Sequence, residues 1–225
     1  LWTLLHPFIL LAVLYALFAA RLGEGVPHFG TYLLIGIVHW SFVGTATSKC
    51  VTALVSRESL VLNTSFPQEL LVCGEVGAIL LSFVLEVVVL VGFALVAGLA
   101  PAASWLVLLV TLLLEAVLVC AVSLILAAAF VFAADVERVW AIVLRIGFFA
   151  VPIFYPLDVI ESGAMRLLIQ LNPLTQIIGF ARGALIDGAW PGLLPLLTTI
   201  VFIGGILVVA LRLFRSVEQT FAERL

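Results

Sequence analysis

The hydrophobic positions of this chain fall into six long apolar runs separated by more polar segments of different lengths. A helix needs about 20 mostly apolar residues to cross the hydrocarbon core of a bilayer, and most of the runs approach or exceed that length. The pattern therefore predicts an all-α membrane protein with six transmembrane helices. The predicted spans cover residues 4–20, 30–47, 66–99, 105–134, 139–154 and 190–213.

The segment 155–189 differs from the spans because it is too polar for a seventh crossing and too apolar for a solvent loop. It contains two short helical patterns, 161–171 and 173–185, separated by Asn172-Pro173. Asn caps a helix start, and Pro suits a first position where no amide donor is needed. Helices this short cannot each span a bilayer. We therefore predict a re-entrant helical hairpin between spans five and six.

The first long polar stretch, 48–68, separates spans two and three. Ser65 followed three residues later by Gln68 has the spacing of a capping box, and Pro67 fits a first helical turn. These residues predict that span three begins within 66–69.

The composition excludes a soluble globular domain. Of the 225 residues, 65% are hydrophobic and 10% are charged, and the mean hydropathy is +1.36. Ordinary soluble domains are roughly 45–50% apolar and about 25% charged. The spans and their connections occupy the whole chain, so residues 1–225 are predicted to form one membrane domain. The chain begins inside an apolar run without Met, and we expect N-terminal residues to be missing.

The placement of lysine and arginine predicts the orientation, because cytoplasmic loops carry an excess of both. A cytoplasmic N-terminus leaves only Arg21, Arg166 and Arg182 on the outer side. Both termini and the loop 48–69 are then cytoplasmic, and the hairpin 155–189 is outside. The remaining basic residues lie inside: Lys49, Arg57, Arg138, Arg145, Arg212, Arg215 and Arg224.

The sequence contains no recognisable catalytic or metal-binding motif, so we predict that the chain is not an enzyme and holds no cofactor of its own. Lys49 follows GTATS and lacks the Gly-Lys-Ser/Thr of a phosphate-binding loop. His6, His28 and His39 are scattered without metal-ligand spacing. No basic stripe indicates nucleic acid binding.

Three carboxylates, Glu75, Glu86 and Glu115, lie inside apolar spans. A charge at mid-bilayer costs at least about 2.5–3.5 kcal/mol, so these groups should face protein or water. Glu75 and Glu86 are three helical turns apart and share one face of span three. They could form a polar stripe on a conduit, relay protons, or join helices together.

Aromatic residues form a cluster just before the hairpin. Phe148, Phe149, Phe154 and Tyr155 could line a glycan path, since sugars stack their apolar faces on aromatic rings. Contact with lipid or with the protein core explains the cluster equally well. Trp40 and Phe42 in span two are further candidates for the path.

Taken in order, these features resemble the type-2 ABC exporters, and within them the permeases that export O-antigen, teichoic acid and related polysaccharides. The similarity covers essentially the whole chain. It is carried by NTSFPQEL at 63–70, DVER at 135–138, PIFYPL at 152–157, NPLT at 172–175 and FRSVE at 214–218.

The resemblance implies that two copies of the chain form a channel in the inner membrane. Two separate nucleotide-binding subunits would bind ATP and Mg and drive a lipid-linked glycan through it. The implied ATPase-coupling residues are Arg57, Glu58, Leu60, Asn63, Phe66, Pro67 and Glu69. The implied outer-gate residues are Pro156, Arg166, Asn172, Pro173 and Arg182.

The chain departs from the family pattern in two places. The family often carries basic residues before Phe-Pro, where this chain has Asn63, Thr64 and Ser65. The amphipathic cytoplasmic helix expected ahead of span one is absent from the sequence.

Other functions are compatible with the same sequence. One is a type-2 ABC permease for drugs, lipids or haem. Another is an ion-driven secondary transporter that uses the three carboxylates, although such a protein would show inverted repeats, which we do not find. A membrane scaffold would leave the capped loop and the hairpin unexplained. Co-purification with a separate ATPase distinguishes these alternatives.

Overall fold

The computed structural model describes residues 2–22, 25–57, 67–218 and 221, with the side chains of all of these except 2–6, 21 and 22. The described residues form eight α-helices and no strands, which confirms the all-α prediction. Three short 3₁₀ turns, Val55–Arg57, Ala103–Leu106 and Leu157–Val159, join helices. The helices are α1 Trp2–Leu22, α2 Phe29–Val51, α3 Glu69–Val96, α4 Val107–Phe132, α5 Val136–Ala150, α6 Gly163–Leu171, α7 Pro173–Leu185 and α8 Leu193–Val217.

Four segments are long and apolar enough to cross a membrane: Phe29–Val51, Glu69–Val96, Ala103–Phe132 and Leu193–Val217. In α1 the apolar part is the shorter run Pro7–Ala20. Helix α5 has 15 residues and a length of about 22 Å at 1.5 Å per residue, which is less than the roughly 30 Å of the hydrocarbon core. The structure therefore shows a membrane protein with four candidate spans.

The predicted fifth span, 139–154, is wrong at its second boundary. The helix ends at Ala150, and Val151 is extended with φ −82° and ψ 138°. The residue before a proline is driven out of the helical region by the proline ring, and Pro152 follows Val151. Helical structure therefore stops four residues before the apolar run does.

Helix α2 is the centre of the bundle and packs against α1, α3, α4, α5 and α7. In the most apolar 18-residue stretch of α2, 61% of the residues are buried inside the protein, compared with 17% in the corresponding stretch of α8. The mean hydropathy follows the opposite order, at 1.3 for α2 and 2.5 for α8. A helix surrounded by protein can carry polar residues that find partners there, whereas a lipid-facing helix cannot.

The bundle has two chemically distinct ends. The tail end contains residues 49–57, 67–75, 214–218 and 221, and the hairpin end contains residues 29–32, 103–106, 151–155 and 182–184. Ion pairs and hydrogen bonds join the segments within each end. The described parts of the polar loop 48–69 therefore lie at the same end of the bundle as the C-terminal tail, as the predicted orientation requires.

The start of α3 lies within the predicted range 66–69, but its capping differs from the prediction. The helix begins at Glu69, and Pro67 precedes it instead of lying in its first turn. Gln68 makes no side-chain capping bond; its backbone N–H is bound by Glu218 Oε1 at 3.1 Å. Ser65, the other half of the predicted capping box, lies outside the described residues. A tertiary contact thus satisfies an amide at this helix start.

The two hairpin helices form as predicted, with one shifted boundary. Asn172 Oδ1 accepts the N–H of Leu174 at 3.0 Å, and Pro173 opens α7. Helix α6 begins at Gly163 instead of 161, because the hydroxyl of Ser162 caps it by accepting the N–H of Met165. Helix α7 is buried against α4 and α2, whereas no residue of α6 is buried.

Candidate transport path and coupling site

At the tail end, the C-terminal residues dock onto the beginning of α3. Arg215 directs Nη2 and Nε to Glu69 Oε1 at 3.0 and 3.2 Å. Phe214 and Phe221 are both fully buried, with ring centroids 5.4 Å apart, and Phe221 also contacts Phe132 at the end of α4. The C-terminal tail is therefore an integral part of the bundle. It packs where the predicted coupling segment ends and α3 begins.

Glu75 lies next to this contact, in a cluster of three charges. Lys49 Nζ is 2.5 Å from one carboxylate oxygen, and Arg57 donates to the other. Arg57 also donates to the carbonyl of Leu71 at 3.4 Å. The cluster ties the end of α2 to the first turns of α3 and balances the charge of Glu75.

The predicted coupling residues are only partly described. Arg57, Pro67 and Glu69 lie at the tail end, on either side of the undescribed stretch. The other four lie outside the described residues: Glu58, Leu60, Asn63 and Phe66.

Replacement of Glu218 by alanine removes the acceptor that satisfies the N–H of Gln68 at the start of α3. Loss of a helix-capping acceptor costs about 0.5–2 kcal/mol. We expect Glu218→Ala to lower the thermal midpoint of the purified protein in detergent measurably. Glu218→Gln keeps a carbonyl oxygen at the same reach and should retain most of the stability. Equal midpoints for the two variants would contradict this role.

Most of the predicted aromatic path residues form one cluster, which extends from the middle of α2 towards the hairpin end; Phe42 is the exception. Phe154 stacks on Phe18 of α1 with centroids 5.0 Å apart and touches Tyr155 at 5.1 Å. Trp40 and Phe149 each contact Phe148, at 6.1 and 5.5 Å. Phe18 was not predicted, because nothing in the α1 sequence distinguishes it from its apolar neighbours. The cluster joins α1, α2, α5 and the segment after α5.

Phe42 is placed elsewhere, in the core between α2 and α3. Its ring is parallel to that of Phe83, with centroids 4.4 Å apart, and both side chains are buried. Phe42 therefore joins two helices within the described protomer and does not contribute to the aromatic cluster.

Two contacts align α5 with α2. Trp140 Nε1 donates to Thr47 Oγ1 at 2.9 Å. Seven residues further along α5, the Trp40 ring lies against Gly147, where a Cβ would be 2.7 Å from Trp40 Cη2. Any side chain at 147 would push Trp40 away, so glycine is required for this close antiparallel packing.

A buried pair that the sequence analysis did not anticipate lies in the middle of the bundle. His39 Nδ1 of α2 is 2.5 Å from Glu115 Oε2 of α4, and both residues are fully buried. The edge of the Phe83 ring contacts the imidazole at 5.5 Å. Glu115 Oε1 and His39 Nε2 have no partner among the described residues. The pair joins two central helices.

Glu86 is the third carboxylate within the apolar helices. It is buried, and its Oε2 has no partner among the described residues. It borders a cavity of about 260 Å³ between α2 and α3, which is also lined by the hydroxyl residues Ser41, Thr45 and Ser82. The three carboxylates thus occupy three different environments instead of one continuous stripe.

At the hairpin end, Arg182 of α7 connects three parts of the chain. Its guanidinium donates to the carbonyls of Pro152 and Ile153 at 2.7 Å each, and to the carbonyl of Tyr32 at 3.2 Å. Its carbon Cζ lies 3.4 Å from the centroid of the Tyr32 ring, in a cation–π arrangement. Burial lowers the pKa of Arg182 to about 10, so it stays charged at neutral pH.

Two further sets of hydrogen bonds involve the segment before the hairpin and the predicted gate residue Arg166. Tyr32 donates its hydroxyl to the carbonyl of Tyr155 at 3.0 Å, next to Pro156. Arg166 of α6 donates to the carbonyls of Asp158 and Ile160 at 3.3 and 3.0 Å. These bonds hold the hairpin and the segment before it against α2.

Comparison with known proteins places the chain among membrane transporters. The profile of the ABC-2 type transporter family matches residues 1–186. The O-antigen export system permease protein RfbA of Myxococcus xanthus is 27% identical over 226 residues, covering 99% of this chain and 86% of the relative. Two proteins of the same name from Klebsiella pneumoniae are 24% and 23% identical, each covering 99% of this chain and 86% of the relative.

The profile match extends from α1 through the end of α7 and so includes the tail-end charge cluster, the aromatic cluster and the Arg182 contact. It confirms the resemblance inferred from the sequence. A family match over this much of a chain of apolar helices shows that this chain belongs to the ABC-2 type transporter family.

Proposed function

We propose that this chain is the permease subunit of an ATP-driven exporter that moves a lipid-linked polysaccharide across the cytoplasmic membrane. The observation that carries the proposal is the alignment of nearly the whole chain with proteins named O-antigen export permeases.

In the proposed topology, α1, α2, α3, α4, α5 and α8 are the six spans, and α6–α7 re-enter the membrane from outside. The tail end is cytoplasmic and the hairpin end is outer. Support comes from the described parts of the loop 48–69 and the tail, which share one end of the bundle, while the hairpin packs at the other. Helix α5 is about 22 Å long, and residues 151–155, which follow it, continue the chain to the hairpin end.

Two copies of the chain form the conduit in this proposal, and two ATPase subunits bind ATP and Mg. ATP acts on the partner, so a mechanical contact at residues 57–69 must transmit its effect, because a ligand shifts a conformational equilibrium only through differential affinity. Arg57 and Glu69 are bonded into α3 and the tail on either side of this segment. Motion of the segment therefore reaches the bundle directly, and in the proposed mechanism it moves spans one, two and five.

The aromatic cluster is the proposed contact for sugar rings. Phe149 is 65% exposed in the single protomer, and its neighbours Phe148, Phe154 and Tyr155 are partly exposed. Aromatic faces exposed on the inner side of a conduit would allow successive sugars to stack and move on. The same surface would otherwise be in contact with lipid.

Insertion of a proline after Arg57 tests the coupling contact in the complex with the ATPase. We expect ATP hydrolysis to continue while export of glycan into vesicles falls at least about tenfold, because a broken contact no longer transmits motion. The control is Asp158→Lys, an exposed position at the hairpin end, which should leave both activities near normal. Unchanged export after proline insertion would contradict the coupling role, and failure to purify with any ATPase would contradict the proposed function itself.

A further inference from the structure

Arg145 is an isolated charge in the apolar helix α5. It is exposed in the single protomer and has neither a hydrogen bond nor an ion pair with any described residue. Its neighbours along the helix, Ile142, Ile146 and Phe149, are exposed apolar side chains. By contrast, the other arginine on this helix, Arg138, lies in its first turn and pairs with Asp135 at 3.4 Å.

The packing of α5 on α2 fixes the depth of Arg145 in the bundle. Residue 140 lies level with Thr47, and residue 147 lies level with Trp40. In this antiparallel register, residue 145 lies level with Phe42, which stacks on Phe83 in α3. Phe83 is near the middle of the candidate span Glu69–Val96. Arg145 is therefore at about half the depth of the membrane-crossing helices, and not on the cytoplasmic side, where the sequence prediction of orientation placed it.

A charged arginine at that depth cannot simply face lipid. The cost of an arginine at the bilayer centre is at least about 2.5–3.5 kcal/mol, and such residues face protein or a water-filled cavity. No described residue of the protomer covers the face of α5 that carries Arg145, which leaves a second copy or an aqueous path to satisfy the guanidinium.

A second copy offers no suitable counter-charge among the described residues. The carboxylates near this depth are Glu86 and Glu115, which are only 8% and 0% exposed. Asp135 and Glu137 are exposed, but they lie more than two turns away at the beginning of α5. The anion that faces Arg145 is therefore best supplied by a ligand.

We propose that Arg145 binds the phosphate or diphosphate group of the exported molecule as that group passes the middle of the membrane. This inference rests on the proposed function and names the charged part of its substrate. A guanidinium forms two parallel hydrogen bonds with a phosphate. Phe148 and Phe149 follow on the same helix towards the hairpin end, so one helix presents an anion site followed by ring-stacking surfaces.

The test measures binding of a radiolabelled prenyl diphosphate to the complex of permease and ATPase in nanodiscs of zwitterionic lipid. Charged hydrogen bonds contribute about 1.5–3 kcal/mol each, and 1.4 kcal/mol corresponds to a factor of ten. We therefore expect Arg145→Gln to weaken binding at least about tenfold and Arg145→Lys to weaken it less. Arg138→Gln is the matched control. Its affinity for the prenyl diphosphate should stay within about twofold of that of the unaltered complex.

Two further probes identify the source of the phosphate. A prenyl alcohol should bind equally to the unaltered complex and to Arg145→Gln, because it lacks the anion. Inorganic diphosphate should compete weakly; competition as strong as that of the prenyl diphosphate would overturn the assignment to a lipid-linked group. Size-exclusion profiles and basal ATP hydrolysis show whether each variant is folded.

Equal binding of the prenyl diphosphate by the unaltered complex and by Arg145→Gln would overturn the inference, and so would an equal loss in Arg138→Gln. These failures leave the proposed function intact if the unaltered complex still exports glycan. If the unaltered complex exports no glycan yet binds prenyl diphosphate through Arg145, the proposed polysaccharide substrate fails and the anion site stands.

Discussion

Replacement of Arg182 by alanine is expected to prevent stable folding of the hairpin end. The carbonyls of Pro152 and Ile153 would lose their donor in a buried setting. Each buried acceptor left without a partner costs about 1–3 kcal/mol, and a whole domain is stable by only about 5–15 kcal/mol. We expect a large fall in the yield of monodisperse protein and in the thermal midpoint measured in detergent.

Two further variants make this prediction specific. Arg182→Lys keeps the charge but has a single ammonium group in place of the planar guanidinium with its several N–H donors. Its thermal midpoint should therefore lie between those of the unaltered protein and of Arg182→Ala. Arg166→Ala removes an arginine of α6 that binds two carbonyls at a more exposed site and should have little effect. If Arg182→Ala were as stable as Arg166→Ala, the guanidinium would not be holding this end together.

Replacement of Glu115 by alanine is expected to produce the second large loss. It leaves the fully buried His39 without its partner on α4, and removal of one member of a buried pair costs about 3–5 kcal/mol. The thermal midpoint in detergent is again the measurement. Glu75→Ala is the matched control, because its partners Lys49 and Arg57 are 61% and 38% exposed and their charges can return to water.

The double variant His39→Leu with Glu115→Leu separates the pair from its surroundings. Apolar replacement of a whole buried pair is often neutral or stabilising, because no charge is left without a partner. We therefore expect the double variant to be more stable than Glu115→Ala. A double variant less stable than Glu115→Ala would show that packing of the two side chains, and not their pairing, holds α2 against α4.

The features that the sequence predicted correctly are those that depend on neighbours along the chain. Apolar runs produce the long helices, and Asn172-Pro173 starts α7 because both residues act on adjacent backbone groups. The end of α5 shows the limit of the same reasoning. The apolar run continues past Ala150, but the conformational restriction before Pro152 ends the helix earlier.

The features that could not be predicted depend on residues far apart in sequence. His39 and Glu115 are 76 positions apart, and both Arg182 with Tyr32 and Glu218 with Gln68 are 150 apart. Each side chain alone has several possible partners, and only the packing of the helices selects one. The predicted roles of the path, coupling and gate residues stay predictions, although the structure brings Trp40, Phe148, Phe149, Phe154 and Tyr155 into one cluster.

The docked tail is expected to divide the bundle into a more rigid part and a more mobile part. Arg215 and Glu218 fasten α8 to the start of α3, and α8 packs closely along α4, so these three helices form a closed frame. Helices α1 and α5 lie outside the frame, and both pack chiefly on α2. We therefore expect a force applied between Arg57 and Pro67 to leave α3, α4 and α8 in place and to rotate α1 and α5 about α2.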